Sequence, residues 1–294
     1  MPDLIISASA PQTGIAIAAA ITTDLVAEIR SRHDLSPLVT AAVGRLTTGA
    51  ALLGMSLKGS ERITLQMSGD GPVGSIAADA WLLEPEVLGA RGYAAHPHAD
   101  LPLNAAGKFD VAGALGAGSL QVTKSYDVGQ PYVGIVPFYS GEVAEDLASY
   151  LVNSEQIPSV VALGVLANPD GVLAAGGVLA QVLPGADERA IAALEERALA
   201  MPPITKLINE GADAHALLRA LAGPLELRSH HTLDVRFTCT CTREKVESAL
   251  LGMGADELRT LASERPELEA SCEFCKKRYI FTPDDLRELA ARSA

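Results

Sequence analysis

Four cysteines stand in the last fifth of this 294-residue chain, as Cys239-x-Cys241 and, thirty residues on, Cys272-x-x-Cys275. No cysteine precedes Cys239. Thiolates are soft ligands, and two close pairs joined by a short insert read as the two arms of one tetrahedral zinc site. Residues two apart on extended chain project the same way, so Cys239 and Cys241 can face one ion. Two local disulfides, or four unrelated core cysteines, are the other readings of the same pattern.

Magnitudes favour the metal. Closing the thirty-residue insert costs roughly 3 kcal/mol of length-dependent entropy. A structural zinc site contributes about 10–16 kcal/mol at neutral pH. The 64 residues from His231 to Ala294 are too few to stay folded easily without that ion. Four thiolates around a divalent cation leave excess negative charge, which Lys276, Lys277 and Arg278 can offset; a solvated basic surface is the plainer reading of that triplet. Oxidation has two pairs of sequence neighbours to draw on, Cys239–Cys241 and Cys272–Cys275. Each such disulfide is local and ties neither arm to the other. The Cys239–Cys241 ring is the tighter, so Cys272–Cys275 should form more easily. Oxidation would expel the zinc and remove the cross-link.

The elements that must position these thiols can be read around them. Val235-Arg236-Phe237 leads as a strand into the first pair, and Thr242 is a helix cap with Lys245 at the third helical position. That helix runs through Leu251, and a second spans Asp256 to Ser263. Cys272 to Cys275 form a knuckle, Arg278 to Phe281 a closing strand, and Thr282-Pro283-Asp284-Asp285 a strong helix start.

Upstream, the chain reads as an α+β body with a mixed, mainly antiparallel sheet. Strands are expected over Asp3–Ser9, Gly14–Ile21, Glu61–Ser68, Val73–Asp79, around Leu120 and Val122, and over Val133–Tyr139. Helices are expected from Thr23 to Arg32, from Ser36-Pro37 to about Leu57, and from Glu142 to Glu155. Ser159–Leu183 has Asp170 as its sole charge, but Asn168-Pro169-Asp170-Gly171 cuts it into a hairpin, not a spanning helix. The body ends near Pro184. Residues 185–230 then read as short helices, Asp187–Met201, Ile204–Asn209 and Ala214–Leu221. No Phe, Tyr or Trp occurs from Leu151 to Arg236, so these helices dock without the largest apolar side chains and form an easily released linker. An ordinary interdomain arm is the plainer alternative. The expected division is therefore 1–184, 185–230 and 231–294.

Net charge is −13, with 48% apolar and 4% aromatic residues. A body this acidic repels phosphate backbones, which argues against nucleic acid as the main partner. The stretch from His231 has ten Lys/Arg against twelve Asp/Glu, so the acidity lies upstream. No basic segment precedes an apolar run at the N-terminus. The expected setting is soluble and cytoplasmic, where thiols stay reduced.

The CxC–CxxC arrangement with Arg236-Phe237 before it and Tyr279 and Phe281 after it resembles the redox-regulated thirty-three-kilodalton heat-shock chaperone family. The likeness continues through Gly69-Asp70-Gly71-Pro72-Val73-Gly74, Ser154-Glu155-Gln156-Ile157-Pro158-Ser159, and Gly176-Gly177 with Gln181 and Pro184-Gly185. It covers essentially the whole chain. The resemblance implies a non-enzymatic, ATP-independent holdase, inactive when reduced with one zinc on Cys239, Cys241, Cys272 and Cys275. It also implies disulfides between neighbouring cysteines on oxidation, a dimer in the oxidised state, and unfolding proteins as clients.

Two rival functions share the motif. A zinc ribbon could dock on nucleic acid or protein, with Phe237, Phe274, Tyr279 and Phe281 as a stacking face; a small-domain core is the plainer role for those rings. A thiol oxidoreductase could use Cys272-x-x-Cys275, but such motifs belong at a strand-to-helix junction. Three other patterns point less sharply. His96 and His98 near Asp100 form a loop HxH, His230 and His231 could substitute as ligands, and Gly69-x-Gly71-x-x-Gly74 has dinucleotide-fingerprint letters but joins two strands. No Ser-His-Asp arrangement stands out.

Overall fold

A computed structural model describes residues 2–293. In chain order its elements are β1 (Leu4–Ala10), β2 (Ile15–Ile21), α1 (Thr23–His33), α2 (Pro37–Leu53), β3 (Arg62–Gly69), β4 (Ser75–Glu84), β5 (Val87–Ala94), α3 (Val111–Leu115), β6 (Gly118–Ser125), β7 (Tyr132–Pro137), α4 (Val143–Asn153), β8 (Ser159–Asn168) and β9 (Gly171–Val182). There follow α5 (Glu188–Ala200), α6 (Ile204–Asn209), α7 (Ala214–Ala222), β10 (Arg228–Phe237), α8 (Arg243–Leu251), α9 (Ala255–Glu264), β11 (Leu268–Ser271), β12 (Arg278–Phe281) and α10 (Pro283–Arg292).

Ten strands form one sheet in the order β7-β6-β3-β4-β5-β10-β1-β2-β9-β8. Its ladders are antiparallel except where β10 runs parallel to β5. This is the mixed, mainly antiparallel α+β arrangement expected. β5 and most of β10, however, are not apparent in the sequence. β5 carries Gly89 and Gly92, and a Cβ on Gly92 would press on Thr47 and Val43 of α2. Close helix-on-sheet approach, not a turn, is what demands glycine there.

The long helix α2 explains the first core. Ser36 caps it, its Oγ accepting from the Val39 N–H at 3.2 Å, and Pro37 occupies the first turn. Leu38, Val39, Ala42, Val43, Leu46 and Ala50 are fully buried. They pack against Ile5, Leu65, Met67, Ile76, Leu88 and Leu179 from strands across the sheet. Pro37–Ser56 is long and apolar enough to cross a membrane, but 83% of its most apolar window is buried inside the protein. Ser159–Asn168 and Gly171–Val182 form the expected hairpin.

The opposite face of β1, β2 and β9 carries a second core. Ile6, Ile15, Ile17, Ile21, Val178 and Ala180 lie under Leu194 of α5, Ile204 and Ile208 of α6, and Leu217, Leu218 and Leu221 of α7. The helices of residues 185–230 therefore cover a broad aliphatic sheet surface, with no aromatic ring among the buried residues.

Two compact units divide after Thr238: residues 1–238 and 239–294. The expected boundary at 230/231 falls earlier, inside β10. Residues 228–237 belong to the large sheet, where Ile5 pairs with Leu233 and Val235 pairs with Leu88. The 184/185 boundary likewise falls inside the first unit, since α5 to α7 pack on its sheet. Within the second unit, β11 and β12 pair antiparallel and α8 to α10 surround a core built on Phe281, Leu258 and Leu286, all fully buried. Thr282 and Asp285 form a reciprocal capping box at the start of α10.

Candidate metal centre

The first arm of the site follows directly from β10, whose end is fixed by the Thr238 N–H donating to the Ala90 carbonyl at 3.1 Å. Cys239 to Cys241 then lead into α8, capped by Thr242, whose Oγ1 accepts from the Lys245 N–H as expected. The second arm is a tight knuckle between β11 and β12. The Cys272 N–H donates to the Lys277 carbonyl at 3.0 Å, and the Lys276 N–H donates back to the Cys272 carbonyl at 2.8 Å. Lys276 takes a left-handed backbone with φ of 56° to close it.

This scaffold brings all four sulfurs within 4.8 Å of one another. Cys239 Sγ lies 3.7 Å from Cys272 Sγ, and Cys241 Sγ lies 3.3 Å from Cys275 Sγ. A tetrahedral ion with metal–sulfur bonds of about 2.3 Å needs sulfur–sulfur edges of about 3.8 Å. A disulfide needs about 2.05 Å, and all four are free thiols. The donor set is all sulfur, which suits soft or borderline ions. The four residues thus fit a single tetrahedral metal ion.

Burial raises the pKa of the Cys272 and Cys275 thiols, because a thiolate there loses hydration. Metal binding must displace these protons and will strengthen as pH rises. The knuckle lies between two strands, β11 and β12, and not at the strand-to-helix junction of a thiol oxidoreductase.

A hydrogen bond supports the cluster. The Tyr279 hydroxyl donates to Cys241 Sγ at 3.1 Å, and β12 carries Tyr279 from the second arm while Cys241 belongs to the first. Sequence reasoning placed Tyr279 in the motif but gave it no such contact. Outer-shell partners of this kind are worth about 10–100-fold in affinity. Tyr279→Phe should therefore weaken metal binding about tenfold with unchanged stoichiometry, read by competition with a chromogenic chelator. Wild-type affinity in that variant would remove the hydroxyl from the site.

The basic triplet is engaged elsewhere. Lys276 pairs with Glu273 at 2.7 Å, Arg278 with Glu269 at 3.5 Å, and Lys277 lies over the Tyr279 ring at 5.1 Å. The aromatic residues do not form one stacking face either. Tyr279 and Phe281 are buried in the small core, and Phe237 packs against the first core under Arg32.

The remaining histidine and glycine patterns are structural. His230 Nε2 is 2.7 Å from Ser9 Oγ, and His231 sits opposite Ser7 in the large sheet. His96 Nδ1 is 3.1 Å from the Pro72 carbonyl. Among the described residues the four cysteines are the group of three or more potential metal ligands. Gly69 to Gly74 is the β3–β4 turn, where the Gly69 N–H donates to the Gly74 carbonyl at 2.8 Å, not the head of a helix.

Comparison with known proteins gives the family. The family model described as Hsp33 protein matches residues 3–282. The chain belongs to the Hsp33 family. It is 41% identical to the 33 kDa chaperonin of Bacillus velezensis over 98% of both chains. It is 43% identical to that of Desulfotalea psychrophila over 92% of this chain and 91% of the relative. The crystal structure of the 33 kDa chaperonin from Thermotoga maritima, a heat shock protein 33 homologue, superposes with a TM-score of 0.91 at 36% identity, covering 99% of each chain. Hsp33 membership makes this a chaperone-family protein with a four-cysteine cluster.

Proposed function

We propose that the chain is an ATP-independent holdase, silent when zinc holds Cys239, Cys241, Cys272 and Cys275 and active once those thiols are oxidised. The observation that carries this reading is the second core. Helices α5 to α7 lie over the aliphatic face of β1, β2 and β9, and the same helices lead through β10 to the metal cluster. Their release would expose Ile15, Ile17, Ile21 and Val178, the kind of contiguous apolar surface that unfolding proteins bind.

The chemistry balances with a peroxide-class oxidant. Two hydrogen peroxide molecules and four protons take four electrons from the zinc tetrathiolate. Two disulfides, one zinc ion and four waters result. We assign the bonds to Cys239–Cys241 and Cys272–Cys275, as the family resemblance and the short rings support. Sulfurs also approach across the arms, Cys239 to Cys272 at 3.7 Å and Cys241 to Cys275 at 3.3 Å, so peptide mapping of the oxidised protein tests this pairing directly.

No catalysis is assigned. Clients are unfolding proteins, the oxidised form is a homodimer, and the setting is cytoplasmic, with neither nucleic acid nor membrane as partner. The test is light scattering of a denaturing client. The peroxide-treated protein should suppress scattering, and the reduced, zinc-loaded protein should not. Equal suppression by both forms would refute redox control.

A further inference from the structure

The first unit contains a cavity of about 470 Å³ that the chaperone reading does not use. It forms where α2 gives way to the 3-10 turn at Gly54–Ser56, so the roof recedes from the sheet. The floor is made of small residues. Ser7 and Ser9 of β1 follow Ile5 by steps of two and so share its face, and Ala16 and Ala18 of β2 lie beside them. Leu52, Leu53 and Met55 supply apolar walls. Its volume falls in the range of about 300–1,000 Å³ typical of small-molecule sites, which are likewise mostly apolar with a few polar groups.

Charge decides the ligand class. Lys124 and Glu155 are the charged residues of the lining, and they neutralise each other at 2.6 Å, both largely buried. The remaining titratable group is His230, held to Ser9 Oγ at 2.7 Å. Gln181 and Ser7 add uncharged hydrogen-bonding groups. An anion entering here would meet Glu155, and a cation would meet Lys124. Either would have to break a largely buried ion pair, which leaves the other partner uncompensated. We infer that this cavity binds a neutral amphipathic small molecule, its apolar body against Leu52, Leu53 and Met55 and its polar group on the Ser9–His230–Gln181 side.

The test uses the reduced, zinc-loaded full chain, so that the face under α5 to α7 stays covered. The probe is N-phenyl-1-naphthylamine, which is neutral, and its counterpart is 8-anilinonaphthalene-1-sulfonate, the same skeleton with a negative charge. The neutral probe should bind at one saturable site per chain, at least tenfold more tightly than the sulfonate. Ala16→Leu and Ser7→Leu each fill the floor and should lower its affinity at least tenfold, with melting temperature and zinc content unchanged. In the unsubstituted protein the Met55 methyl resonance should shift on titration while that of Met253, in the second unit, stays fixed; this readout needs no variant to fold. Non-saturating uptake, an unmoved Met55 signal, or full affinity in a folded filling variant would overturn the site. Equal binding of the sulfonate would overturn the neutral class.

Discussion

Cys272→Ser should abolish stoichiometric zinc binding and unfold residues 239–294, while the first unit keeps its melting transition. A structural tetrathiolate site is worth about 10–16 kcal/mol at neutral pH, and a serine hydroxyl is a poor substitute for thiolate. The small unit has little to replace that term. Its buried apolar set is Leu250, Leu258, Ala262, Tyr279, Phe281, Leu286, Leu289 and Ala290. A unit spanning only residues 239–294 has a marginal core, and scaffolds of this size commonly add a metal or disulfides. The two arms are joined otherwise by the Tyr279–Cys241 hydrogen bond, by Arg243, which donates to the Ile280 carbonyl at 2.8 Å and pairs with Asp285 at 3.2 Å, and by the packing around Phe281. Atomic absorption for zinc and amide exchange across residues 239–294 measure both halves of the expectation. Full zinc with native-like protection would show that Cys272 is not a ligand.

The second large effect concerns the covered sheet face. Leu221 of α7 is fully buried in the aliphatic layer over β1, β2 and β9. Leu221→Asp loses the packing of a buried leucine, worth about 2–5 kcal/mol, and adds the burial of an unpaired carboxylate, which costs further. The helices have no buried aromatic side chain to resist this. The reduced, zinc-loaded variant should then release α5 to α7 and suppress client aggregation without any oxidant. Leu199→Asp is the matched control, because Leu199 is 90% exposed and its replacement should change nothing. Rapid amide exchange over residues 188–222 with no client protection would separate linker release from activity, and the covered face would no longer be the client surface.

Local signals in the sequence located most elements. Ser36-Pro37 announces α2, the alternation of Ile63, Leu65 and Met67 marks β3, and the linker helices begin and end within a residue or two of their expected positions. What failed was non-local. β10 reads Arg-Ser-His-His-Thr-Leu-Asp-Val-Arg-Phe, mostly polar, because Leu233 and Val235 are buried in the core and Phe237 partly so, while Asp234 and Arg236 face solvent. Its partners β1 and β5 lie far away along the chain, so no local pattern shows that it sits mid-sheet. For that reason the expected boundary at 231 cut through a strand.

Residue chemistry alone singled out the four thiols that the fold brings within 4.8 Å of one another, because two close pairs have few other uses in a chain with no further cysteine. The tertiary structure decided which surfaces those thiols are connected to. It placed β10 inside the large sheet and spread α5 to α7 over an aliphatic face built from strands early and late in the chain. Ligand identity depends on side-chain chemistry that each residue carries with it. Burial depends on contacts among residues distant in sequence, and those exist only after the chain has folded.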